Sequence, residues 1–491
     1  MPDSEKHSAQ APAPEGLVSS LGPFISTFFV VGAVIGSGIF RKSGVMAGQL
    51  GSAELLMGVW MLAGIITLMG ALINAEIAGM IPETGGQYVY FNRMYGPFAA
   101  HLYGWAVFAV IQTGSIASLA MVFAEHAAHF ISLPELSAAT AAFSLHLPFI
   151  GDIRPFAEAG VKGLAALLII GLTAVNFLGV KLGGLVQASF AVAKISGMAA
   201  LVLLVFLLPD VGHAANFTSR SSTLHLEGLA WWAAIAAALQ GAFWAYDGWN
   251  NITYISGEVK QPQRNIPRAL LFGTGIVILA YLLMNAAYIY VFSIDEMAAS
   301  KLVAADAAER CFTGGGRWIA AVVMVSTFGA ANGCIMASAR VYFSMARHNV
   351  FPKFLGVAHP RFHTPAASLI VQCFWCLLLL LSGTFDALTD MLVFVGWIFY
   401  AAGAYGLFVL RRREPATPRP YRVPGYPVLP WLFIASALLF LVLTIYNDIS
   451  HYQTALAQGK PAVINSAFGT VLVLLGVPIY LYYRPGKKAQ P

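Results

Sequence analysis

Charged residues are scarce in this chain of 491 residues, because Asp, Glu, Lys and Arg together make up 10% of it. Soluble domains carry about 25% charged residues. Here 58% of the residues are hydrophobic and the mean hydropathy is +0.72. No soluble arrangement hides so much apolar surface, so the sequence predicts an integral membrane protein. The formal charge of +6 does not indicate a nucleic-acid partner, because basic residues are expected on cytoplasmic loops.

Cysteine is also scarce, and its four positions do not form a disulfide framework: Cys311, Cys334, Cys373 and Cys376. The last two have the C-x-x-C spacing of a redox site, but they lie in a predicted apolar helix. We therefore interpret the spacing as a coincidence. The sequence also lacks H-E-x-x-H and paired intramembrane aspartates, which a membrane-embedded enzyme would need. We therefore predict no enzyme activity, no catalytic residue, no metal and no cofactor.

Apolar runs of about 20 residues, the length that crosses a bilayer as a helix, occur twelve times. Their approximate spans are 21–43, 54–80, 98–130, 160–179, 184–208, 229–255, 268–293, 317–345, 366–382, 386–410, 428–447 and 466–483. The third is long enough to be bent or tilted. Residues 1–16 and 484–491 are polar and are predicted to be tails, the first one disordered. The predicted fold is all-α with twelve transmembrane helices.

Basic residues indicate how the chain is oriented. With the N-terminus inside, the cytoplasmic segments hold eighteen of the 28 Lys and Arg residues and the outer segments hold nine. Positive charge collects on cytoplasmic loops. The sequence therefore predicts that both termini lie in the cytoplasm, and for a bacterial-like chain it predicts the cell inner membrane.

The first apolar run is interrupted by V-I-G-S-G-I-F, residues 34–40. Gly36 and Gly38 are poor helix residues, each costing about 1 kcal/mol relative to alanine. In hydrocarbon, a broken helix is tolerated where the break lines a cavity inside the protein. Its N–H groups then suit an anion such as a carboxylate, and its carbonyl groups suit an ammonium. The alternative is that the glycines let two helices pack closely.

A second interruption, W-A-Y-D-G-W-N-N (244–251), lies five spans after the first. Asp247-Gly248 and Asn250-Asn251 interrupt the helix at mid-depth. Breaks at corresponding positions of two halves are typical of transporters that are built from inverted repeats and bind substrate at the midplane. The coincidence favours a binding role for the first break over close packing.

Several motifs in order resemble a known family: G-S-G-I-F (36–40), A-E (75–76), I-P-E-T-G-G-Q-Y (81–88), A-Y-D-G-W-N (245–250), E-V-K-Q-P-Q-R-N-I-P-R-A-L (258–270), S-A-R (338–340) and R-P-Y-R-V-P (419–424). Together they resemble the amino acid–polyamine–organocation (APC) superfamily, closest to its L-type amino acid transporter branch. The resemblance covers about residues 20–450.

The resemblance implies a 5+5 inverted-repeat APC fold with broken helices 1 and 6. Repeat one would span about 21–208 and repeat two about 229–410, so that the transport core covers 17–410. A cytoplasmic loop (411–427) and two accessory helices (428–483) would follow.

The resemblance also implies a substrate site at the first break. The amino acid carboxylate would bind N–H groups of Ser37, Gly38 and Ile39, next to Gly36. Its ammonium would bind carbonyl groups near Val34 and from Trp244 to Asp247. Trp244 would be the gate over the substrate, Tyr288 would lie near the site, and Asn250 and Trp397 would supply side-chain contacts.

Lys194 lies about 15 Å into the fifth span if that span begins near Gly184, at about 1.5 Å per residue. Snorkelling to the headgroups covers only part of that depth, and an ionisable residue inside a membrane is by default a functional candidate. A buried ammonium needs carbonyl or carboxylate partners. The resemblance implies that Lys194 stands where sodium-coupled relatives hold a sodium ion.

Two features depart from the family pattern. Asp247 replaces a glycine found in some members, and its carboxylate could either cap the following half-helix or attract an ammonium. Residues 131–159 contain no cysteine, whereas eukaryotic members of this branch use one there to tether a partner. We therefore expect no disulfide-linked heavy chain; the expected partners are the lipid bilayer and the amino acid.

The predicted function is a secondary transporter that moves small or medium neutral L-amino acids by sodium-independent exchange or facilitated uptake, with alternating access. Two alternatives remain. Asp247 favours a cationic amino acid or polyamine carrier, for which proton coupling stays open. A non-transporting amino acid sensor of the same fold is equally compatible with the sequence.

Overall fold

The computed structural model describes residues 19–147, 151–224, 227–300, 302–382, 385–458 and 464–483. The two predicted tails, 1–16 and 484–491, lie outside the described residues. The helices in chain order are α1 Pro23–Val34, α2 Gly38–Leu50, α3 Ala53–Met80, α4 Gln87–Tyr95, α5 Pro97–Ala106, α6 Gln112–Ala127, α7 Ala138–Ala141, α8 Ala159–Phe177, α9 Val180–Leu207, α10 Gly228–Tyr246, α11 Asn251–Tyr254, α12 Pro262–Val291, α13 Ile294–Ala299, α14 Val303–Cys311, α15 Gly315–Arg347, α16 Ala366–Ser382, α17 Phe385–Arg413, α18 Val428–Ala457, α19 Asn465–Leu474 and α20 Gly476–Tyr483.

Across the described residues, eleven helical segments are long and apolar enough to cross a membrane, and Ala366–Leu381 is a shorter apolar helix. These segments fall on the twelve predicted runs. Two three-residue strands, β1 (Leu145–Leu147) and β2 (Gly151–Ile153), pair antiparallel in the connection between α7 and α8. The architecture is otherwise helical, as the composition predicts.

The third apolar run, long enough to suggest a bend or a tilt, contains an irregular turn. A π-helical turn, Val107–Ile111, separates α5 from α6. The Thr113 hydroxyl donates to the carbonyl oxygen of Phe108 in this turn at 2.7 Å. Helix α6, which follows the turn, contributes Ser115 and Leu119 to the cavity described below.

Both predicted breaks are present. Helix α1 ends at Val34 and α2 begins at Gly38, with Ile35 in an extended conformation. Helix α10 ends at Tyr246, and a short helix, α11, begins at Asn251. Helices α1 and α2 run one after the other across the molecule, so the start of α1 and the end of α2 lie at opposite ends.

The end of the molecule at the start of α1 is closed by backbone pairing. The Ser20 and Leu21 N–H groups both donate to the Glu258 carbonyl oxygen at 2.9 Å, and the Lys260 N–H donates to the Leu21 carbonyl oxygen at 2.9 Å. The Glu258 side chain forms a fully buried salt bridge with Arg340, with Nη2 2.9 Å from Oε1. The segment that precedes α1 is thus joined to the segment that follows α11.

The buried Glu76 carboxylate pairs with an arginine at the end of α17. Arg411 donates to both of its carboxylate oxygens, at 2.9 and 2.7 Å. The Val423 N–H donates to Oε2 at 2.7 Å. This contact ties α3 to α17 and to the loop before α18.

We expect Arg340→Met to destabilise the protein strongly, because it leaves the Glu258 carboxylate buried without a cation. Breaking a buried pair on one side costs about 3–5 kcal/mol, which a thermal denaturation series on purified protein would record as a large fall in midpoint. The double variant Glu258→Leu/Arg340→Met should recover most of the loss. The control is Arg41→Gln, whose pair with Glu125 is about 40% exposed on both sides and should contribute about 0–1 kcal/mol. Equal midpoints for Arg340→Met and the control would contradict this account.

Candidate functional site

The first break exposes backbone donors at the start of α2. Among the described residues, no backbone hydrogen bond is made by the N–H groups of Gly36, Ser37, Gly38 and Ile39. The N-terminus of a helix carries a partial positive charge, and unpaired N–H groups there suit an anion. The break therefore has the chemistry of a carboxylate site.

The two breaks are in direct contact. A Cβ at Gly38 would lie 2.5 Å from the Ala245 Cβ and 2.6 Å from its Cα. At the second break, Gly248 has a φ of +96°, and a Cβ there would lie 2.9 Å from the Ala33 carbonyl oxygen. Glycine is needed at both positions because the backbones approach too closely for a side chain. Gly38 therefore has both of the roles that are alternatives from the sequence alone. It allows close packing, and its N–H group is left unpaired.

Lys194 holds the end of α1. Its Nζ donates to the carbonyl oxygens of Gly32 at 3.0 Å, Ile35 at 2.5 Å and Ser326 at 2.8 Å. The Ser326 hydroxyl lies 3.0 and 2.9 Å from the carbonyl oxygens of Ile35 and Gly36. Lys194 and Ser326 are both fully buried. The ammonium thus has the carbonyl partners that its predicted depth required, and it connects α9, α1 and α15.

Tyr281 connects the two breaks from α12. Its hydroxyl lies 3.2 Å from the Val34 carbonyl oxygen and 2.8 Å from the Ala245 carbonyl oxygen. Its ring packs edge-on against Trp60 with centroids 5.5 Å apart. The hydroxyl occupies carbonyl groups that a broken helix would otherwise leave unpaired inside the membrane.

A small cavity of about 30 Å³ lies where the two breaks meet. Its lining residues come from both breaks and from α6 and α15: Ala33, Val34, Gly36, Ser37, Gly38, Ser115, Leu119, Trp244, Ala245, Asp247, Gly248 and Cys334. The wall therefore combines backbone groups of the breaks with small or apolar side chains and one acidic residue, Asp247.

Asp247 is half-buried and belongs to the lining of this cavity. Its Oδ1 accepts a hydrogen bond from the Tyr400 hydroxyl at 2.7 Å. Among the described residues, no basic side chain forms a salt bridge with it. The carboxylate therefore has a hydrogen-bond donor but no cation.

The structure brings six of the predicted site residues to the cavity wall: Val34, Gly36, Ser37, Gly38, Trp244 and Asp247. Ile39 is fully buried next to them. Lys194 reaches the same break from behind the cavity, through the Ile35 carbonyl.

Three predicted contacts lie elsewhere. Tyr288, which was expected near the site, is fully buried two helical turns beyond Tyr281, whose hydroxyl contacts the first break. Trp397 packs on Phe243, with ring centroids 3.9 Å apart. Asn250 donates to the Tyr254 hydroxyl at 3.1 Å. None of the three lines the described cavity.

Several residues around the cavity are not identified from the sequence: Tyr281, Ser326, Tyr400, Ser115, Leu119 and Cys334. No sequence signal distinguishes Tyr281 from Tyr288, because both place a hydroxyl inside the same apolar run, and the buried Tyr288 hydroxyl has no partner among the described residues. The contact between Tyr400 and Asp247 joins residues 153 positions apart and has no local sequence signal. Cys334 also lies in the cavity wall.

A bundle of membrane-spanning helices, two of them broken at a shared internal cavity, has the form of a secondary transporter. Comparison with known proteins agrees. The family model for amino acid permeases matches residues 21–477. The chain belongs to the amino acid permease family, and it is a multi-pass membrane transporter and not an enzyme.

Individual relatives are similar over most of their length. The b(0,+)-type amino acid transporter 1 of Homo sapiens is 31% identical over 94% of this chain and 95% of its own. The serine/threonine exchanger SteT of Bacillus subtilis is 29% identical over 95% of this chain and 97% of its own. The large neutral amino acids transporter small subunit 2 of Mus musculus is 30% identical over 95% of this chain and 80% of its own.

We expect Gly38→Val to reduce amino acid uptake to background, because the added side chain would force α2 away from Ala245 and distort the free N–H groups. Overpacking of this kind costs about 1–3 kcal/mol, so the variant should still reach the membrane. Uptake of labelled L-threonine, normalised to protein in the membrane, measures the effect. The matched control is Gly48→Ala, also on α2, where a Cβ would meet only the Ala298 Cβ at 3.6 Å. Wild-type uptake by Gly38→Val would show that the approach of the two breaks is not needed.

Proposed function

We propose that this protein exchanges small or medium neutral L-amino acids across the membrane, without sodium, by alternating access. The observation that carries the proposal is the set of unpaired N–H groups of Gly36, Ser37, Gly38 and Ile39 at the cavity. They offer a carboxylate several donors at once and favour it over a neutral group.

The ammonium of the same amino acid would bind at the end of α1. Helix C-termini carry a partial negative charge, and Ala33 and Val34 supply carbonyl groups beside the N-terminus of α2. Carbonyl groups between Trp244 and Asp247 would complete this half of the site. Opposite charges offered by backbone groups fit the zwitterionic part common to all α-amino acids. The side chain would face Ser115, Leu119 and Cys334.

Trp244 is the proposed gate. It lines the cavity between the breaks and also a larger cavity of about 200 Å³ on the side where α2 ends. The opposite end is closed by the pairing of Ser20 and Leu21 with Glu258. Rotation of the Trp244 side chain would connect the two cavities, which supports a gating role.

The finer architecture and the domain boundaries belong to the same proposal. We infer twelve transmembrane helices, with α16 as the shortest, and two inverted five-helix repeats at about 21–208 and 229–410 within a core of 17–410. A loop at 411–427 and accessory helices at 428–483 would follow. The breaks after Val34 and after Tyr246, at corresponding positions of the two halves, support this arrangement.

Orientation and assembly are proposed from charge and cysteine placement. The excess of basic residues on one set of loops supports cytoplasmic termini and location in the cell inner membrane. The absence of cysteine from residues 131–159 supports a transporter that works without a disulfide-linked heavy chain.

A second candidate, a carrier of cationic amino acids or polyamines, is supported by Asp247. A carboxylate that faces a cavity and has no basic partner among the described residues can attract a cationic substrate group. A proton could neutralise it as well, so this candidate includes proton coupling. A sensor of the same fold would bind an amino acid without moving it.

Exchange by purified protein separates these functions. We expect vesicles loaded with unlabelled L-threonine to take up labelled L-threonine rapidly, with no second subunit present; the name of the bacterial serine/threonine exchanger supports this probe. Neutral L-amino acids should compete, whereas L-threoninol and N-acetyl-L-threonine should not, because each lacks one of the two charged groups. Full competition by putrescine or L-lysine would favour the second candidate. Binding without exchange would identify a sensor.

Sodium should have no effect on uptake, because the Lys194 ammonium already occupies the carbonyl groups of Gly32, Ile35 and Ser326. Two cations a few ångströms apart repel strongly at low dielectric. We expect equal initial rates when choline replaces sodium at fixed pH and membrane potential. Lys194→Met should lower the rate by roughly tenfold or more, since each buried carbonyl left unpaired costs about 1–3 kcal/mol. A saturable rise in rate with sodium, or wild-type rates for Lys194→Met, would contradict this role.

A further inference from the structure

The larger cavity, which we call the vestibule, is formed by regular stripes of two helices. Helix α2 contributes Lys42, Val45, Met46 and Gln49, and α10 contributes a second set that ends at Trp244. Residues at i, i+3, i+4 and i+7 share one face of a helix. The vestibule is therefore built on a whole face of α2, the same helix whose N-terminus faces the inner cavity.

Two polar groups on this face lack partners. No hydrogen bond or salt bridge joins the Lys42 ammonium to any described residue, whereas its neighbour Arg41 pairs with Glu125 at 3.3 Å on another side of the helix. The Gln49 Oε1 is buried and has no hydrogen-bond donor within the described part of the chain. A buried acceptor without a donor costs about 1–3 kcal/mol, so the vestibule wall offers both a cation and an acceptor to a ligand.

Helix α18 brings the opposite charge to the vestibule. Helix α10 packs against both α2 and α18, and α18 contributes Asn447, Asp448 and His451 to the vestibule, where Asp390 of α17 supplies a second carboxylate. The Asp448 carboxylate is held in place by the Ser466 N–H at 2.7 Å. The vestibule lining thus offers a ligand both an ammonium, at Lys42, and a carboxylate, at Asp448.

We propose that the vestibule is a second, outer binding site for the transported zwitterionic amino acid, with the ligand carboxylate on Lys42 and its ammonium toward Gln49 Oε1 and Asp448. This inference rests on the proposed function. It adds a site that an amino acid occupies before it reaches the breaks.

The position of Lys42 explains how the two sites would work in sequence. Lys42 lies one turn beyond Gly38 on α2, a rise of about 6 Å. Trp244 forms part of both cavities and therefore separates the two sites. Movement of this ring lets a carboxylate pass from the Lys42 side chain to the N–H groups at the start of the same helix, without leaving a positively charged surface.

Binding stoichiometry tests the second site directly. Equilibrium dialysis of wild-type protein with labelled L-threonine should reveal two sites per chain, the outer one weaker. Gly38→Val should retain only the outer one, and adding Lys42→Gln should weaken that remaining binding at least tenfold. The matched control is Arg41→Gln in the same background, which removes an equal charge from the adjacent residue and should leave binding unchanged. One site in wild-type protein, or equal effects of the two charge variants, would overturn the proposal.

A second measurement does not depend on the folding of Gly38→Val. In otherwise wild-type protein, Lys42→Gln should raise the KM for L-threonine about threefold to tenfold from the vestibule side, because the outer site loses its charged hydrogen bond to the ligand carboxylate. The maximal rate and the KM from the opposite side should not change. A KM that rises equally from both sides would overturn the vestibule site and leave the exchange function standing. Failure of wild-type protein to bind or exchange any amino acid would overturn both.

Discussion

The structure depends on one constraint: backbone groups freed by a broken helix inside a membrane must find partners. At the first break the carbonyl groups are taken by Lys194, Ser326 and Tyr281. The N–H groups from Gly36 to Ile39 have no such partners among the described residues. Several carbonyl groups of the break therefore have partners within the protein, whereas its donor side is open, which is the condition for holding a carboxylate that can also be released.

The side chains that pair with these carbonyl groups also determine which helices can move together. Lys194 attaches the end of α1 to α9 and α15, and Tyr281 attaches it to the end of α10 through α12. Both contacts are to backbone, so they depend on the break and not on the side chains of α1. A substrate that draws the N–H groups of α2 toward itself would shift α2. Its neighbour α1 is held at several points. Such an arrangement favours movement of helix groups as units around the cavity.

The fold and the centre of the site could be predicted from the sequence because they rest on local signals. Two glycines in an apolar run and an Asp-Gly pair in another are visible without any structure, and so is a lysine about 15 Å deep in a span. What could not be predicted depends on how helices are rotated against each other. Tyr281 and Tyr288 lie two turns apart on α12, and only the packing against Trp60 and the breaks decides which one reaches the carbonyl groups of the breaks. The contact of Tyr400 with Asp247 and the lining of the vestibule also depend on how the helices pack against each other, and not on local sequence.

The central claim is that the free N–H groups of the first break bind the carboxylate of an amino acid. Hydrogen exchange of a peptide that covers residues 34–41, followed by mass spectrometry, measures these groups directly. Saturating L-threonine should slow exchange at the amides of Gly36, Ser37, Gly38 and Ile39, and L-threoninol at the same concentration should not. Unchanged exchange with L-threonine, or equal protection by the alcohol, would contradict the account.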